Sequence, residues 1–308
     1  MARIHFQKPG LQTLIQDMGR PGYQAFGVPL SGAFDKTSAK MANWLVGNPL
    51  HAPLLEITYM GPKIAIEGAC QIALAGADLS AMINQQAIPL YETLSLLGKS
   101  TLTFGRLVNG CRAYLAMRGK WQVSSWLNSH SALLNAGPSV LPSSIIKKGS
   151  TIEVLSEDTI PKRVIPASFR PDFPSYIDVK VLAGPEFECL SKENIAYFFS
   201  QTYRISSSAN RMGYRLEGQA IHTEVKSEII SSGILPGTIQ LTHSGLPIIL
   251  LADAQTTGGY FRIAHLLNTE IDRLAQLKPG DQLRFQLTSL EEAHELLREK
   301  HEQLLRWT

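Results

Sequence analysis

The sequence predicts a mainly β protein of two barrel-like halves with a few short helices. Three observations carry that expectation. Most of the chain consists of short β-branched and aliphatic runs closed by turn residues. Its 24 glycines and 17 prolines are spaced among those runs rather than pooled, the punctuation of a barrel or sandwich and not of alternating βαβ units. The stretch from Glu157 to Ser175 carries four prolines with few apolar residues in register, and it reads as a connection between halves. The boundary falls near Ile160–Asp172, giving halves 1–160 and 161–308, and 308 residues are enough for two domains.

In chain order, strands are expected over Ile64–Ile66, Gln71–Ala75, Ser80–Asn84, Thr101–Phe104, Ala113–Met117 and Thr151–Leu155. They continue over Ile177–Leu182, Gln219–Thr223, Thr238–Thr242, Ile248–Leu251 and Leu283–Leu287. Three helices interrupt them. Asp35 precedes KTSAKMANWLVG, with Ala39, Ala42, Leu45 and Val46 on one face and Gly47 as the stop. Ser191 caps KENIAYFFS, and Ser289 with Glu292 forms a capping box ahead of a C-terminal helix. The apolar stripe of that last helix is Leu290, Ala293, Leu296, Leu297 and Leu304, with His294 and His301 solvated rather than metal-ligating. A faint echo links the halves: Arg20-Pro-Gly-Tyr and Arg211-Met-Gly-Tyr share one shape, as do GVPLSGA and GILPGTI.

Net charge is +3 and the basic residues are scattered, which removes the electrostatic footprint of a nucleic-acid or anionic-lipid binder. Cys70, Cys111 and Cys189 are far apart and odd in number, so neither a disulfide framework nor structural zinc is expected. The opening MARIHFQKPG has no apolar signal region, and the apolar runs are too short to span a bilayer. The expectation is a cytoplasmic globular protein.

Four clusters of polar residues and glycines stand out. In Gln16 to Asp35, four glycines surround Asp17, Arg20 and Ser31. Asp35 is accounted for as a helix N-cap, whereas Gln16, Asp17 and Arg20 exceed what a plain loop needs. In Ser208 to Gly218, Arg211 and Arg215 flank Gly213, and a guanidinium suits bidentate recognition of carboxylate or phosphate. An exposed hairpin with solvated arginines is the alternative, and Asn210 beside them weighs toward binding. In Ser232 to Pro247, Gln240 sits mid-strand, either as a buried amide that must find partners or as a solvent-facing one. In LADAQTTGGYF, Asp253, Gln255, Thr256 and Thr257 follow an apolar run, and Gly258 and Gly259 allow close approach before Tyr260.

Other chemistries lack their signatures. There is no GxxxxGK[ST], no GxGxxG and no GxSxG, and Ala39-Lys40-Met41 lacks the second methionine of a biotinyl-lysine site.

Taken in order, the clusters resemble the biotin-dependent carboxyltransferase family, also called allophanate hydrolase subunit 2, whose stand-alone members are the C subunits of bacterial 5-oxoprolinase. Some of those are described as antagonists of a kinase inhibitor. The matching pieces include Thr13-x-x-Gln16-Asp17-x-Gly19-Arg20, Gly27-Val28-Pro29-x-Ser31-Gly32-Ala33-x-Asp35 and Leu55-Glu56-Ile57-Thr58. They continue with Asn210-Arg211-Met212-Gly213-x-Arg215-Leu216, Gly237-Thr238-Ile239-Gln240 and Asp253-x-Gln255-Thr256-Thr257-Gly258-Gly259-Tyr260. The sequence departs from the family pattern at Lys120, which replaces a glycine, at Thr242 and Phe261, which replace prolines, and through the segment from Trp121 to Ser139.

The resemblance implies cyclophilin-like β-barrels and a site shared with a partner, the kinase-inhibitor-type B subunit, in a complex that also includes the A subunit. It implies ATP-dependent opening of 5-oxo-L-proline to L-glutamate, with ATP and Mg²⁺ shared with a partner subunit. The alternatives are carboxyl transfer from carboxybiotin to urea or a related amide, and non-enzymatic regulation of a kinase-inhibitor partner. Arg211, Arg215, Asp253, Asp17 and Arg20 are the expected catalytic residues, with Asp17 or Asp253 available to nucleotide-bound Mg²⁺ and no resident metal. Gln16, Ser31, Asn210, Gln240, Gln255, Thr256, Thr257, Gly258, Gly259 and Tyr260 are expected to bind a planar amide or lactam. The four clusters are expected to converge on one cleft that the B subunit covers.

Overall fold

The computed structural model describes residues 1–134, 140–223 and 229–307. It is mainly β, and its residues cluster into two units. The first unit is Met1–Arg20 with Ser31–Phe173, and the second is Pro21–Leu30 with Pro174–Trp307. The division therefore falls after Phe173, so the proline-rich stretch 161–173 goes with the first unit. A ten-residue segment from the N-terminal region also belongs to the second unit.

The first unit carries β1 (Ala2–Lys8), β2 (Gln12–Gln16), β3 (Leu54–Thr58), β4 (Lys63–Glu67), β5 (Cys70–Asp78) and β6 (Met82–Ile83). After them come β7 (Gln86–Ala87), β8 (Leu94–Leu96), β9 (Ser100–Thr103), β10 (Asn109–Met117), β11 (Lys120–Trp121) and β12 (Thr151–Leu155). They form a seven-stranded sheet, β11-β12-β1-β4-β9-β6-β7, and a five-stranded sheet, β2-β3-β10-β5-β8. Alternation explains their packing. On β1, Ile4 and Phe6 point inward between exposed neighbours, and they meet Ile72 and Leu74 of β5 in one core. Strand β5 is buried along nearly its whole length because its other face, with Ala73 and Ala75, lies under helix α1 (Lys36–Leu45). Alanine at those positions lets a helix approach closely.

Helix α1 starts where the sequence indicates. Asp35 accepts from Ser38 N at 2.9 Å and from Ser38 Oγ at 2.6 Å. An Asp35→Ala variant is expected to lose about 1–2 kcal/mol, since it removes an N-cap and strands a buried hydroxyl. A urea unfolding curve reads this, and a loss below a few tenths would contradict the capping role.

The second unit is a closed barrel, β13-β20-β17-β18-β15-β14-β21. Its strands are β13 (Tyr176–Ala183), β14 (Tyr203–Ile205), β15 (Gly213–Glu217), β17 (Thr238–Leu241), β18 (Pro247–Leu250), β20 (Phe261–Leu266) and β21 (Gln282–Leu287). A two-stranded ribbon of β16 (Ser232–Gly233) and β19 (Thr257–Gly258) lies outside it. Helix α2 (Lys192–Ser200) packs on β21, where Phe198 stacks on Phe285 with centroids 4.7 Å apart. Ser191 caps α2 through Asn194 N.

Helices α3 (Asn268–Leu274) and α4 (Leu290–Trp307) complete the unit. Ser289 caps α4 through Glu292 N, but the Glu292 carboxylate is taken by Lys180 and Thr288 and does not complete a capping box. The less exposed stripe of α4 is Ala293, Leu296, Lys300 and Leu304, while Leu290 and Leu297 face out. Lys300 belongs to the stripe because it pairs with Asp272 at 2.8 Å.

The expected strand Gln219–Thr223 does not form beyond one bridge, Leu190↔Thr223. Side chains take its backbone groups instead: Gln201 bonds both the N–H and C=O of Gln219, and Asn194 holds His222 O.

Candidate functional site

Strand β2 delivers Gln16 and Asp17 to a turn of the first unit that is pinned from two sides. Ala33 N donates to Asp17 O at 2.7 Å, and a Cβ on Gly32 would fall 2.7 Å from Gly19 N at a φ of +91°. Only glycine permits that approach. The Asp17 carboxylate, 5% exposed, accepts from Gly19 N at 2.8 Å, Ser129 Oγ at 2.7 Å, His130 N at 2.6 Å and Ser131 Oγ at 2.5 Å. Oδ1 takes three of these donors and Oδ2 takes the His130 amide. Arg20 is fully buried, with Nη2 donating to Ser131 O and the guanidinium 5.4 Å from the Trp126 ring centroid. Ser31, at a φ of +54°, donates its hydroxyl to Ala132 O at 2.8 Å. Gln16 reaches the same carbonyl at 3.4 Å, and among the described residues its Oε1 has no partner. Gln16, Asp17, Arg20 and Ser31 thus all grip the segment 129–132.

Beneath Ala33 to Asp35 lies a polar network that sequence reasoning missed. Glu56 on β3 is fully buried and accepts from Phe34 N at 2.8 Å and from Tyr114 Oη at 2.9 Å. Tyr114 Oη in turn accepts from Asp35 N at 2.7 Å. Burial, with Glu56 and Asp35 nearby, pushes the Tyr114 phenol well up, so it stays a donor. Arg112 faces Glu56 at 3.9 Å and lies 4.5 Å from the Phe34 ring centroid. The available signal was a lone glutamate inside the apolar run LLEIT, which burial would force to find donors.

In the second unit Arg211 of one cluster pairs with Asp253 of another, and Gln240 of the remaining cluster lies beside Gly258. Arg211 and Asp253 form a bidentate pair, Nε to Oδ2 at 2.8 Å and Nη2 to Oδ1 at 3.0 Å, with both side chains 1% exposed. Their backbones are joined as well, Asp253 N to Arg211 O at 3.0 Å. Asn210 closes the preceding turn, its Oδ1 accepting from Met212 N. Arg215 does not join them: it lies on the exposed face of β15, between buried Tyr214 and Leu216.

Gln240 on β17 is buried, and among the described residues its Nε2 has no partner. A Cβ on Gly258 would fall 2.8 Å from that nitrogen, so the Gly258 backbone packs against the amide where a larger residue would displace it. Thr256 O accepts from Ile234 N, and Thr257 and Gly258 pair with Gly233 and Ser232 in the ribbon. Gln255, Thr257, Gly259 and Tyr260 are exposed, and the Tyr260 ring packs edge-on against His243 at 5.2 Å. Behind the ribbon, Glu186 holds Arg262 through Nε and Nη2, which draws its carboxyl below the ordinary range.

The two carboxylates expected to reach Mg²⁺ are both occupied, Asp17 by four donors and Asp253 by Arg211. Among the described residues no group of three or more His, Cys, Asp or Glu could hold a metal ion. Among the described residues the side chains do not fit a magnesium–nucleotide site. No helix among the described residues is long and apolar enough to cross a membrane.

Comparison with known proteins extends this geometry. The family model for the carboxyltransferase domain, subdomain A and B, matches residues 26–287. The chain is 34% identical to the 5-oxoprolinase C subunit of Escherichia coli over 93% of this chain and 91% of that protein. It is 29% identical to the 5-oxoprolinase C subunit of Haemophilus influenzae over 93% of this chain and 92% of that protein. The crystal structure of Kluyveromyces lactis urea carboxylase superposes with a TM-score of 0.92 at 28% identity over 99% of this chain, which spans only 29% of that larger protein. With the family model covering most of its length and a relative matched almost end to end, the chain belongs to the carboxyltransferase domain, subdomain A and B family.

Proposed function

We propose that this chain is the C subunit of an ATP-dependent 5-oxoprolinase, acting in the cytoplasm with the A and B subunits to open 5-oxo-L-proline to L-glutamate. The observation that carries the reading is the near end-to-end match to two stand-alone proteins of that name. The urea carboxylase likeness supports the second reading, carboxyl transfer to an amide with biotin, and it does so through one part of a larger protein.

The chemistry of the second unit suits a lactam. A planar N–C=O group needs a donor at its oxygen, and Gln240 Nε2 is a buried donor that has no partner among the described residues and lies beside Gly258 of the ribbon. Thr257 and Tyr260 offer hydroxyls nearby on the exposed ribbon and the turn after it. Arg211 and Asp253 hold the loop after β18 to the turn before β15, and Asp17 with Arg20 does the same for the turn of the first unit. Since these carboxylates do not fit Mg²⁺, the nucleotide belongs to the partner subunits in this assignment, and the lone chain releases no glutamate.

Co-expression with the A and B subunits, followed by assay of ATP-dependent glutamate release from 5-oxo-L-proline, tests the reading. An inactive complex, together with carboxylation of urea when biotin carboxylase is supplied, would replace it with the second. In the active complex, Gly258→Ala is expected to lower activity roughly ten-fold by displacing the Gln240 amide, at a stability cost below about 1 kcal/mol. Unchanged activity would remove Gln240 from the site.

A further inference from the structure

The first unit holds an open groove of about 680 Å³ that shares no residue with the clusters above. That is the size of a small-molecule site. Its origin is a break in the β5–β10 ladder, where Asn109 pairs with Asp78 and Ala113 with Gly76, so two extra residues of β10 bulge out. Such bulges re-aim side chains at sites. Here the break places Asp78 and Asn109 on the groove wall.

Tyr91 forms the floor. It holds a φ of +64°, an outlier for an aromatic residue. Its hydroxyl bonds both Gly76 N and Gly76 O at 3.1 Å, while its backbone bonds Leu74 O and Ile165 N. These four bonds hold the ring and its left-handed backbone in place.

Two opposite charges line the groove with the ring. The Arg170 guanidinium lies 5.4 Å from its centroid and is oriented by Nε donating to Ile165 O at 2.9 Å. Among the described residues its two Nη groups have no partner. Asp78 Oδ1 accepts from Ser80 N at 2.8 Å, and among the described residues Oδ2 has none. Glu92, the other acid of the groove, is already paired with Lys162. Burial pushes the Tyr91 phenol up, Asp35 and Asp78 add to that, and the Gly76 hydrogen bond and Arg170 oppose it. Met82, Ile88, Leu90 and Phe173 supply apolar wall.

We propose that this groove is a second ligand site, binding an apolar L-α-amino acid as its zwitterion, with the ammonium on Asp78, the carboxylate on Arg170 and the side chain against Met82, Ile88 and Phe173. A simple anion would meet Asp78 and a simple cation Arg170, whereas a zwitterion satisfies both. The site is independent of the lactam-opening reading and is tested on the lone chain.

The test is titration with L-leucine, followed by methyl NMR of the methionines, with the Met82 signal assigned by Met82→Leu. Saturable movement of the Met82 signal is expected. N-acetyl-L-leucine and L-leucinamide, each lacking one charge, are expected to bind roughly ten-fold more weakly, the scale of one charge-assisted hydrogen bond. Asp78→Asn and Arg170→Gln should each weaken L-leucine by a similar factor, while the other methionine signals stay in place as evidence of an intact fold. No movement at Met82, equal binding of the three compounds, or unchanged affinity in both variants would each overturn the proposal.

Discussion

Asp253→Ala is expected to destabilise the second unit by about 3–5 kcal/mol. Its carboxylate is the bidentate partner of Arg211, and both side chains are 1% exposed. Arginine cannot shed its proton to escape burial, so the variant takes the bidentate carboxylate away from a buried charge. The loop after β18 also loses its side-chain tie to the turn before β15, leaving the backbone bond from residue 253 N to Arg211 O. Urea unfolding followed by circular dichroism measures the loss, and a value below about 1 kcal/mol would show the pair to be solvated in solution. The double variant Arg211→Met/Asp253→Leu should recover most of the stability, because an apolar pair carries no desolvation cost. A stable double variant that assembles with its partners yet releases no glutamate would make the guanidinium itself necessary for the reaction. Recovered activity would confine the pair to positioning.

Asp17→Ala is expected to cost about 3–5 kcal/mol and to loosen the turn it organises. Four donors lose their acceptor at once: Gly19 N, Ser129 Oγ, His130 N and Ser131 Oγ. Each buried donor left unmade costs on the order of 1–3 kcal/mol, partly relieved by water entering the gap. Asp17→Asn is no rescue, since its amide replaces one acceptor with two more donors facing donors. Hydrogen exchange at the amides of Gly19 and His130 gives a local readout. Both should be protected in the parent and exchange rapidly in either variant. Persistent protection would mean that the Gly32–Gly19 approach alone sets the turn.

Much of the fold was legible in the sequence where local chemistry determines local structure. Asp35 and Ser191 cap the helices they were expected to cap. The strand expected over Thr151–Leu155 is β12 residue for residue. Elements that depend on distant partners were not legible. Strands β2 and β3 were missed because QTLIQ and LLEIT are too short and too uniformly buried to show alternation. Gln219–Thr223 has strand-like composition, but Gln201 and Asn194 occupy its backbone groups. The polar clusters were visible as clusters, whereas their inward use was not. A carboxylate that binds a ligand and one that binds its own loop have the same sequence signature. Only the positions of Ser129 and Ser131 around Asp17 distinguish them, and those lie more than a hundred residues away.

The order of strands in the second barrel has a consequence for how the chain is made. Strand β13 pairs with β20 on one side and, in parallel, with β21 on the other, and β14 also leans on β21. The last strand in sequence is thus the stave that closes the first. From Tyr176 to Leu287 is roughly 110 residues, which a ribosome takes roughly 5–22 s to synthesise. Throughout that interval β13 and β14 have unpaired edges, and Ile177, Val179 and Val181 have no completed interior to enter. The nascent chain is therefore exposed to strand-to-strand aggregation late in translation, and a stall or truncation before Gln282 should yield insoluble material rather than a smaller folded protein.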